Sequence, residues 1–160
     1  MNSFSPSNGR VLVIEDEADL QEALVTYLNI EGFTADGVSS LSAASQWIRT
    51  HQFDVLILDL GLSDGDGLQW LVQNEMLRQK GVIITTARGD SKQRIEGIRS
   101  GADVYLVKPI QLEELASLVS NLMRRIQAPT LPQWTLSKMN WTLNRSEERR
   151  VGKECLRLCR

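Results

Sequence analysis

The sequence predicts an α/β protein built on a parallel sheet of five strands. Short apolar runs alternate with segments of helical periodicity, which is typical of strand–helix units in a parallel sheet. One run, VLILD, is apolar throughout, as expected of a strand covered on both faces. Four runs also end in an acid, a hydroxyl or a lysine, and open sheets of this class bind ligands beyond the carboxyl ends of their strands.

The first part of the chain contains two strand–helix units. RVLVI is the first predicted strand, and apolar residues at helical spacing predict a helix after it that ends at Gly32 (Leu20, Leu24, Tyr27, Leu28). FTADGV is a weaker second strand. A second helix follows and extends through Ile48, with Ser39 or Ser42 as its candidate cap.

Three further strands follow. DVLILD is the third, and the polar, glycine-rich loop GLSDGDG leads from it to a helix from Leu68 to about Arg78. GVIIT and VYLV are the fourth and fifth strands. The helix between them is predicted to be weak, because glycine in a helix interior, here Gly97, costs about 1 kcal/mol relative to alanine. The last helix carries one continuous apolar stripe (Leu112, Leu115, Val119, Leu122, Ile126).

The composition favours one globular domain. The 160 residues are enough for one good core but hardly for two full domains. No apolar run approaches the ~20 residues of a membrane helix and the N-terminus lacks a secretory pattern, so we expect a cytoplasmic protein with no membrane partner. The net charge of −2 combines a basic C-terminal stretch, residues 145–160, with a net −5 over the first 144 residues, which disfavours a nucleic-acid surface there.

Acids follow the first and third strands at the edge where ligands bind. Glu15 and Asp16 leave the first strand together, and Asp59 ends the third. Crowded carboxylates repel one another unless a cation lies among them, and oxygen ligands of this kind suit Mg²⁺. An aspartate beside a bound cation can also attack a phosphoryl group. Asp54, at the opposite end of the third strand, is interpreted as a turn or capping acid.

A hydroxyl and an ammonium complete this edge of the sheet. Thr86 follows the fourth apolar run, and Lys108 follows the fifth strand. Lysine is a compact cation suited to phosphate oxygens, and a threonine hydroxyl can donate a hydrogen bond to one. The order of these residues at successive strand ends therefore indicates a site for phosphoryl transfer.

Four stretches, VLVIEDE, DVLILDLGLSDGDGL, VIITTAR and GADVYLVKP, resemble the receiver domain of two-component response regulators over nearly all of residues 9–126. The resemblance implies a doubly wound, flavodoxin-like sheet with strand order 2-1-3-4-5. It implies that Asp59 accepts a phosphoryl group from a sensor histidine kinase. It also implies that Mg²⁺ is held by Asp16, Asp59 and the backbone carbonyl of Gly61, with Glu15 acting through water.

The same resemblance implies a signalling switch and not a metabolic enzyme. Thr86 would move toward the phosphoryl group while Tyr105 turns inward, and together they would reshape the face made by the weak helix, the fifth strand and the last helix. At most, the domain would catalyse its own phosphoryl transfer and dephosphorylation.

The remainder of the chain is predicted to comprise a linker and two short segments. Residues 127–133 contain two prolines and form the linker, and residues 134–144 resemble the opening strands of an OmpR-type winged-helix DNA-binding domain. Residues 145–160 resemble a translated sequencing adapter and are expected to be non-native. We therefore expect a truncated transcriptional regulator that binds DNA only as the full-length parent, with residues 1–8 as a flexible N-terminus.

Three alternatives carry less support. A phosphohydrolase of the haloacid dehalogenase type needs a second acid two residues after the nucleophile, where this chain has Gly61. A flavin- or nucleotide-binding domain needs a first loop that cradles phosphate, and the acids of EDEAD would repel it. A stand-alone receiver that acts through protein–protein contacts is the nearest alternative.

Two departures from the family pattern concern the loop after the third strand and the dimer surface. Ser63 stands where many relatives have proline, which is expected to loosen that loop. Relatives of the OmpR type pair charges between subunits at positions that are Val104 and Leu118 here, whereas Arg94 and Glu114 can keep a second charged pair.

We predict that the homodimer contact is weaker or more apolar than in OmpR-type relatives. The side chains of Val104 and Leu118 cannot supply the salt-dependent attraction that charged pairs supply. Analytical sedimentation with and without phosphorylation, at low and high salt, measures this property. A tight dimer that forms on phosphorylation and dissociates in salt would contradict the prediction.

Overall fold

The computed structural model describes residues 8–87 and 101–127, which contain five strands, four α-helices and one 3-10 helix. The strands are β1 (Arg10–Ile14), β2 (Thr34–Val38), β3 (Val55–Asp59), β4 (Gly81–Thr86) and β5 (Val104–Val107). The α-helices are α1 (Ala18–Ile30), α2 (Leu41–Trp47), α3 (Gly67–Gln73) and α4 (Leu112–Gln127), and the 3-10 helix is Glu75–Gln79. The chain divides into two units, Met1–Ala128 and Pro129–Arg160, and all described residues belong to the first.

The sheet is parallel throughout and has the order β2-β1-β3-β4-β5, which confirms the predicted fold class. The register aligns the ends of neighbouring strands. Ile14 pairs with Leu58 and Leu58 pairs with Ile84, while Thr86 pairs with Val107. The carboxyl ends of β1, β3, β4 and β5 therefore meet at one edge of the sheet.

The sheet separates two apolar clusters, because successive strand side chains point to opposite faces. Val13 and Ile57 belong to the cluster that includes residues of α1 and α4. Ile14 and Leu58, the next residue of each strand, belong to the cluster that includes residues of α2 and α3. Every residue of β3 is buried, which confirms the prediction of a strand covered on both faces.

The cap of α2 differs from the prediction. Ser40 has extended backbone angles, and its side-chain Oγ accepts a hydrogen bond from the Ala43 N–H at 3.0 Å. The prediction of Ser39 or Ser42 was therefore wrong. Leu41 is buried as the first helical residue, and this burial places Ser40 at the cap position.

The helix predicted from Leu68 to about Arg78 is interrupted at Asn74. The Asn74 backbone has φ −99° and ψ 83°, which is not helical, and the chain continues as the 3-10 helix. The Asn74 side-chain Nδ2 donates to the Trp70 carbonyl at 2.7 Å. A side-chain amide thus takes a carbonyl that the helix would otherwise pair with a backbone N–H, and α3 ends there.

Several predicted segments lie outside the described residues. They are residues 1–7 of the N-terminal segment, the weak helix around Gly97 and everything after Gln127, so these predictions stay predictions. Among the helices in residues 8–87 and 101–127, none combines the length and apolar character needed to cross a bilayer.

We predict that Leu28→Ala lowers the free energy of unfolding by about 2–5 kcal/mol, because the substitution leaves a cavity beneath α1. The Leu28 side chain is fully buried in the cluster shared with α4. Ile30→Ala is a matched control on the same helix: Ile30 is 75% exposed, and its truncation should change the free energy by less than about 0.5 kcal/mol. Urea unfolding measures both variants, and equal effects would contradict the assignment of this face to the core.

Candidate functional site

The end of β1 brings one buried and one exposed acid to the edge of the sheet. Glu15 is 1% exposed, and its backbone N–H donates to the Val38 carbonyl at 3.1 Å, which continues the pairing with β2 by one residue. The Gln21 side-chain Nε2 donates to the Glu15 carbonyl at 2.6 Å and holds the chain where it leaves the strand. Asp16 follows and is exposed.

The end of β3 holds Asp59 in a fixed orientation. The residue is 3% exposed, and its Oδ1 accepts a hydrogen bond from the Gly61 backbone N–H at 3.0 Å. A Cβ at position 61 would lie 3.1 Å from Oδ2 of Asp59. The close approach of backbone to carboxylate therefore favours glycine at this position.

Lys108 joins the acids of the two strands. Its Nζ donates to Oε1 of Glu15 and to Oδ2 of Asp59, both at 2.9 Å. Its backbone N–H donates to the Thr86 carbonyl at 2.8 Å, which positions the lysine at the end of β5. The Lys108–Pro109 peptide bond is cis. The structure thus brings together the acids and the lysine that the sequence predicted to converge.

The ionisation of this cluster reflects its burial. Burial raises the pKa of Glu15, and the neighbouring Asp59 charge raises it further, against the opposing effect of the Lys108 ammonium. Burial alone would lower the pKa of Lys108, but its hydrogen bonds to Asp59 and Glu15 outweigh that effect and raise the pKa. The ammonium form of the lysine is therefore favoured beside the two carboxylates.

The acids are close enough to share one cation. Carboxylate oxygens of Glu15, Asp16 and Asp59 all lie within 4.8 Å of one another. When all three are ionised, Lys108 offsets only one of their charges. Hard oxygen donors with an excess of negative charge suit a divalent cation such as Mg²⁺, so the residues fit the predicted metal. The Gly61 amide faces Asp59, and the role of its carbonyl stays a prediction.

The predicted switch residues lie on β4, which pairs with the strand that carries Asp59, and on β5, one strand further along. Thr86 is the last residue of β4 and is 4% exposed. Tyr105 lies on β5, pairs in register with Ile84 and is half-buried against the cluster that includes residues of α2 and α3. The role of these two residues as a switch, and their movement, stay predictions.

Two side chains that donate hydrogen bonds to backbone groups near the site, or accept them from such groups, were not predicted from the sequence. Gln21 holds the Glu15 carbonyl and packs over Gly37, where an added Cβ would lie 2.9 Å from its side chain. Asp64 accepts hydrogen bonds from backbone N–H groups of α2. A glutamine at helical spacing after the acids was a weak signal for the first, and nothing local in the sequence pointed to the second.

Asp54 lies at the opposite edge of the sheet from the candidate site. Its Oδ2 accepts a hydrogen bond from the Arg10 backbone N–H at 2.9 Å, where β1 begins. Asp54 therefore has a structural contact away from the site, but this contact joins it to a strand 44 positions away and is not the local turn or helix cap that was predicted.

Comparison with known proteins identifies similar sequences and structures. A family model described as "Response regulator receiver domain" matches residues 11–120. The transcriptional regulatory protein BasR of Escherichia coli is 38% identical over 120 residues, which cover 72% of this chain and 53% of that protein. The response regulator protein PmrA of Pseudomonas aeruginosa is 39% identical over 128 residues, 78% of this chain and 57% of that protein. The chain thus spans about half the length of these curated relatives.

A solved structure shows the same fold. The receiver domain of the Francisella response regulator 1452 aligns with a TM-score of 0.67 at 30% sequence identity, covering 73% of this chain and 98% of that one. The structural similarity thus covers nearly all of that receiver domain.

We predict that Glu15→Gln stabilises the Mg²⁺-free protein at neutral pH. Because the folded-state pKa of Glu15 is raised, the native state binds this proton more tightly than the unfolded state does, and ionisation of Glu15 destabilises the fold. Glutamine cannot ionise, so the urea midpoint should rise near pH 7. The gain should shrink as the pH falls through the raised pKa and should vanish below the ordinary carboxyl pKa, where Glu15 is neutral in both states.

Glu17→Gln is the matched control for this prediction. Glu17 is exposed, and its substitution should leave the midpoint nearly unchanged at every pH. A midpoint for Glu15→Gln below that of the native chain near pH 7 would mean that the bond to Lys108 outweighs the cost of burying the charge.

Proposed function

The chain belongs to the response regulator receiver family, and from that premise we propose that Asp59 accepts a phosphoryl group from a sensor histidine kinase. Receiver domains of this family are signalling switches that such kinases phosphorylate. One observation carries the proposal: Asp59 is a buried carboxylate at the carboxyl end of β3, with one oxygen held by the Gly61 amide and the other by Lys108.

The contacts of Asp59 support nucleophilic attack by its carboxylate. An Asp59 oxygen would form a bond to phosphorus while the bond between phosphorus and the donor breaks, leaving an aspartyl phosphate. The Gly61 N–H and the Lys108 ammonium orient the carboxylate before attack. Lys108, which already contacts Asp59, would offset negative charge on the transferred group.

The acid cluster would hold the Mg²⁺ that this chemistry needs. We propose Asp16, Asp59 and the Gly61 carbonyl as ligands, with Glu15 acting through water. The bound metal would supply positive charge that offsets the charge on the phosphoryl oxygens. The chain's own residues contribute its placement, because the register of β1 and β3 holds Glu15 and Asp59 side by side.

Thr86 and Tyr105 would report the state of Asp59 to the surface. Thr86 lies beside the strand that carries Asp59, and Tyr105 lies one strand further along. A bond from the Thr86 hydroxyl to the phosphoryl group would shift the end of β4. The Tyr105 ring on β5 is only half-buried. We propose this pair as the switch.

The surface on which a partner copy would dock is in part described. Val104 and Leu118 are half-buried and Glu114 is exposed, while Arg94 lies outside the described residues. Asp103 and Arg125 form a salt bridge of 2.7 Å within the chain. The apolar side chains at positions 104 and 118 support a proposed dimer contact that is more apolar than one made by charged pairs.

The full-length parent is proposed to regulate transcription. The curated relatives BasR and PmrA are named as a transcriptional regulatory protein and a response regulator, and this chain matches about half of each. In this proposal the receiver controls a DNA-binding portion of the parent. A receiver that acts through protein–protein contacts stays the alternative.

We predict that incubation with acetyl phosphate and Mg²⁺ adds one phosphoryl group to the chain, and that Asp59→Asn abolishes the adduct. The amide of asparagine is not a nucleophile for this transfer. Intact mass spectrometry under non-acidic conditions measures the adduct, and omission of Mg²⁺ should reduce it strongly.

Asp54→Asn is the matched control, because Asp54 directly precedes the same strand but lies at the opposite edge of the sheet. Its adduct should equal that of the native chain. An adduct that persists in Asp59→Asn, or that disappears equally in Asp54→Asn, would overturn the assignment of the phosphoacceptor.

A further inference from the structure

The loop that follows β3 is attached to α2 by one carboxylate. Asp64 accepts a hydrogen bond from the Leu41 backbone N–H through Oδ1 at 3.2 Å and from the Ser42 backbone N–H through Oδ2 at 3.1 Å. Leu41 and Ser42 are the first two residues of α2, whose N–H groups have no partner within the helix. Both oxygens of Asp64 are thus engaged with a helix 22 and 23 residues away in the chain.

Apolar packing continues the same contact. Leu62 is 7% exposed and belongs to the cluster that contains Leu41 and Trp70. A Cβ at Gly65 would lie 3.1 Å from the Leu41 side chain, so the backbone of the loop lies directly against the first turn of α2. Loop and helix therefore meet over several adjoining residues as well as through the Asp64 carboxylate.

A second polar link ties α2 to the helix that follows the loop. The Trp70 indole N–H of α3 donates to the Ser45 Oγ at 2.9 Å, and that hydroxyl donates to the Leu41 carbonyl at 2.8 Å. The segment between Asp59 and α3 is thus bounded by contacts with one helix. α2 therefore contacts both the loop and α3.

The other end of the loop lies in the candidate site. The Leu60 N–H donates to the Thr85 carbonyl at 2.9 Å, and the Gly61 N–H donates to Asp59. Only two residues separate Gly61 from Asp64, so the position of the Asp64 carboxylate limits where the Gly61 peptide can lie.

We propose that Asp64 is a positioning residue that holds the Gly61 peptide in place for metal binding beside Asp59. The inference rests on the proposed function, because it assumes that Gly61 supplies a ligand. Ser63 stands at the position where a proline would restrain the backbone covalently. The hydrogen bonds of Asp64 to α2 provide a restraint on the same loop from outside it.

Capping of α2 alone does not account for this contact. α2 has a cap of its own, since the Ser40 Oγ accepts from the Ala43 N–H. Ser40 and Asp64 therefore both satisfy the first turn, but only Asp64 connects it to the site. This difference provides a matched pair of variants.

The experiment is calorimetric titration of the full chain with Mg²⁺ alone. Asp64→Ala should weaken the Mg²⁺ affinity about tenfold, which is the lower end of the effect of residues that orient metal ligands without binding the metal themselves. Asp64→Asn keeps one acceptor oxygen for the α2 amides and should lose clearly less. Ser40→Ala removes a bond to the same turn but not the connection, and should leave the Mg²⁺ affinity unchanged.

Each alternative explanation has its own outcome. Equal losses in Asp64→Ala and Asp64→Asn would assign the effect to the charge of Asp64 and overturn the proposal. An equal loss in Ser40→Ala would assign it to the stability of α2, which also overturns the proposal. An Asp64→Ala variant that binds Mg²⁺ as tightly as the native chain would also overturn the proposal.

The test is separate from that of the phosphoacceptor. If the native chain binds Mg²⁺ and the graded losses appear, the positioning role is supported even where acetyl phosphate yields no adduct on Asp59. If the adduct forms on Asp59 and the Asp64 variants bind Mg²⁺ as the native chain does, the phosphoacceptor stands and the positioning role fails.

Discussion

The rest of the site depends on the burial of two carboxylates beside one ammonium. Glu15 and Asp59 lose nearly all contact with water, and removing ionised groups from water costs several kcal/mol each. Lys108 offsets part of that cost by bonding to both. Asp16 adds to the remaining negative charge, and this excess charge favours binding of a divalent cation. The same imbalance that makes this edge costly in the free protein makes it suited to phosphoryl chemistry.

The parallel sheet makes this arrangement possible. Its strands leave from one edge and end at the other, so residues far apart in the chain arrive at adjoining positions. The pairing of Ile14 with Leu58 sets Glu15 next to Asp59, and the Lys108 amide extends the pairing of β5 with β4. The apolar clusters on both faces fix this register, because a shift of one residue would turn every buried strand side chain to the wrong face. Core packing therefore determines the distances within the site.

The loop after β3 is held by contacts with a distant part of the chain. Ser63 in place of proline led us to expect a looser loop. The structure shows that Asp64, Leu62 and Gly65 attach this loop to α2, with Asp64 forming hydrogen bonds to two backbone amides. A restraint made by a neighbouring helix differs from one made by a proline ring, because it is lost when the helix moves. In the proposed scheme, α2 and the metal site are coupled through this loop.

The sequence by itself determined the fold class, the five strands, the apolar stripe of the last helix and the order of the strand-end residues. Periodicity and residue type are local signals. In a parallel sheet the carboxyl ends of the strands lie at the same edge, so residues at those ends are expected to meet. It did not determine that Ser40 caps α2 or that Asn74 ends α3, because both depend on which neighbouring residues are buried or paired. Only the tertiary structure brought Asp64 to α2, since hydrogen bonds between residues more than twenty positions apart leave no pattern in one sequence. Local sequence signals thus predict the reactive residues of the site, whereas the contacts around them depend on long-range packing.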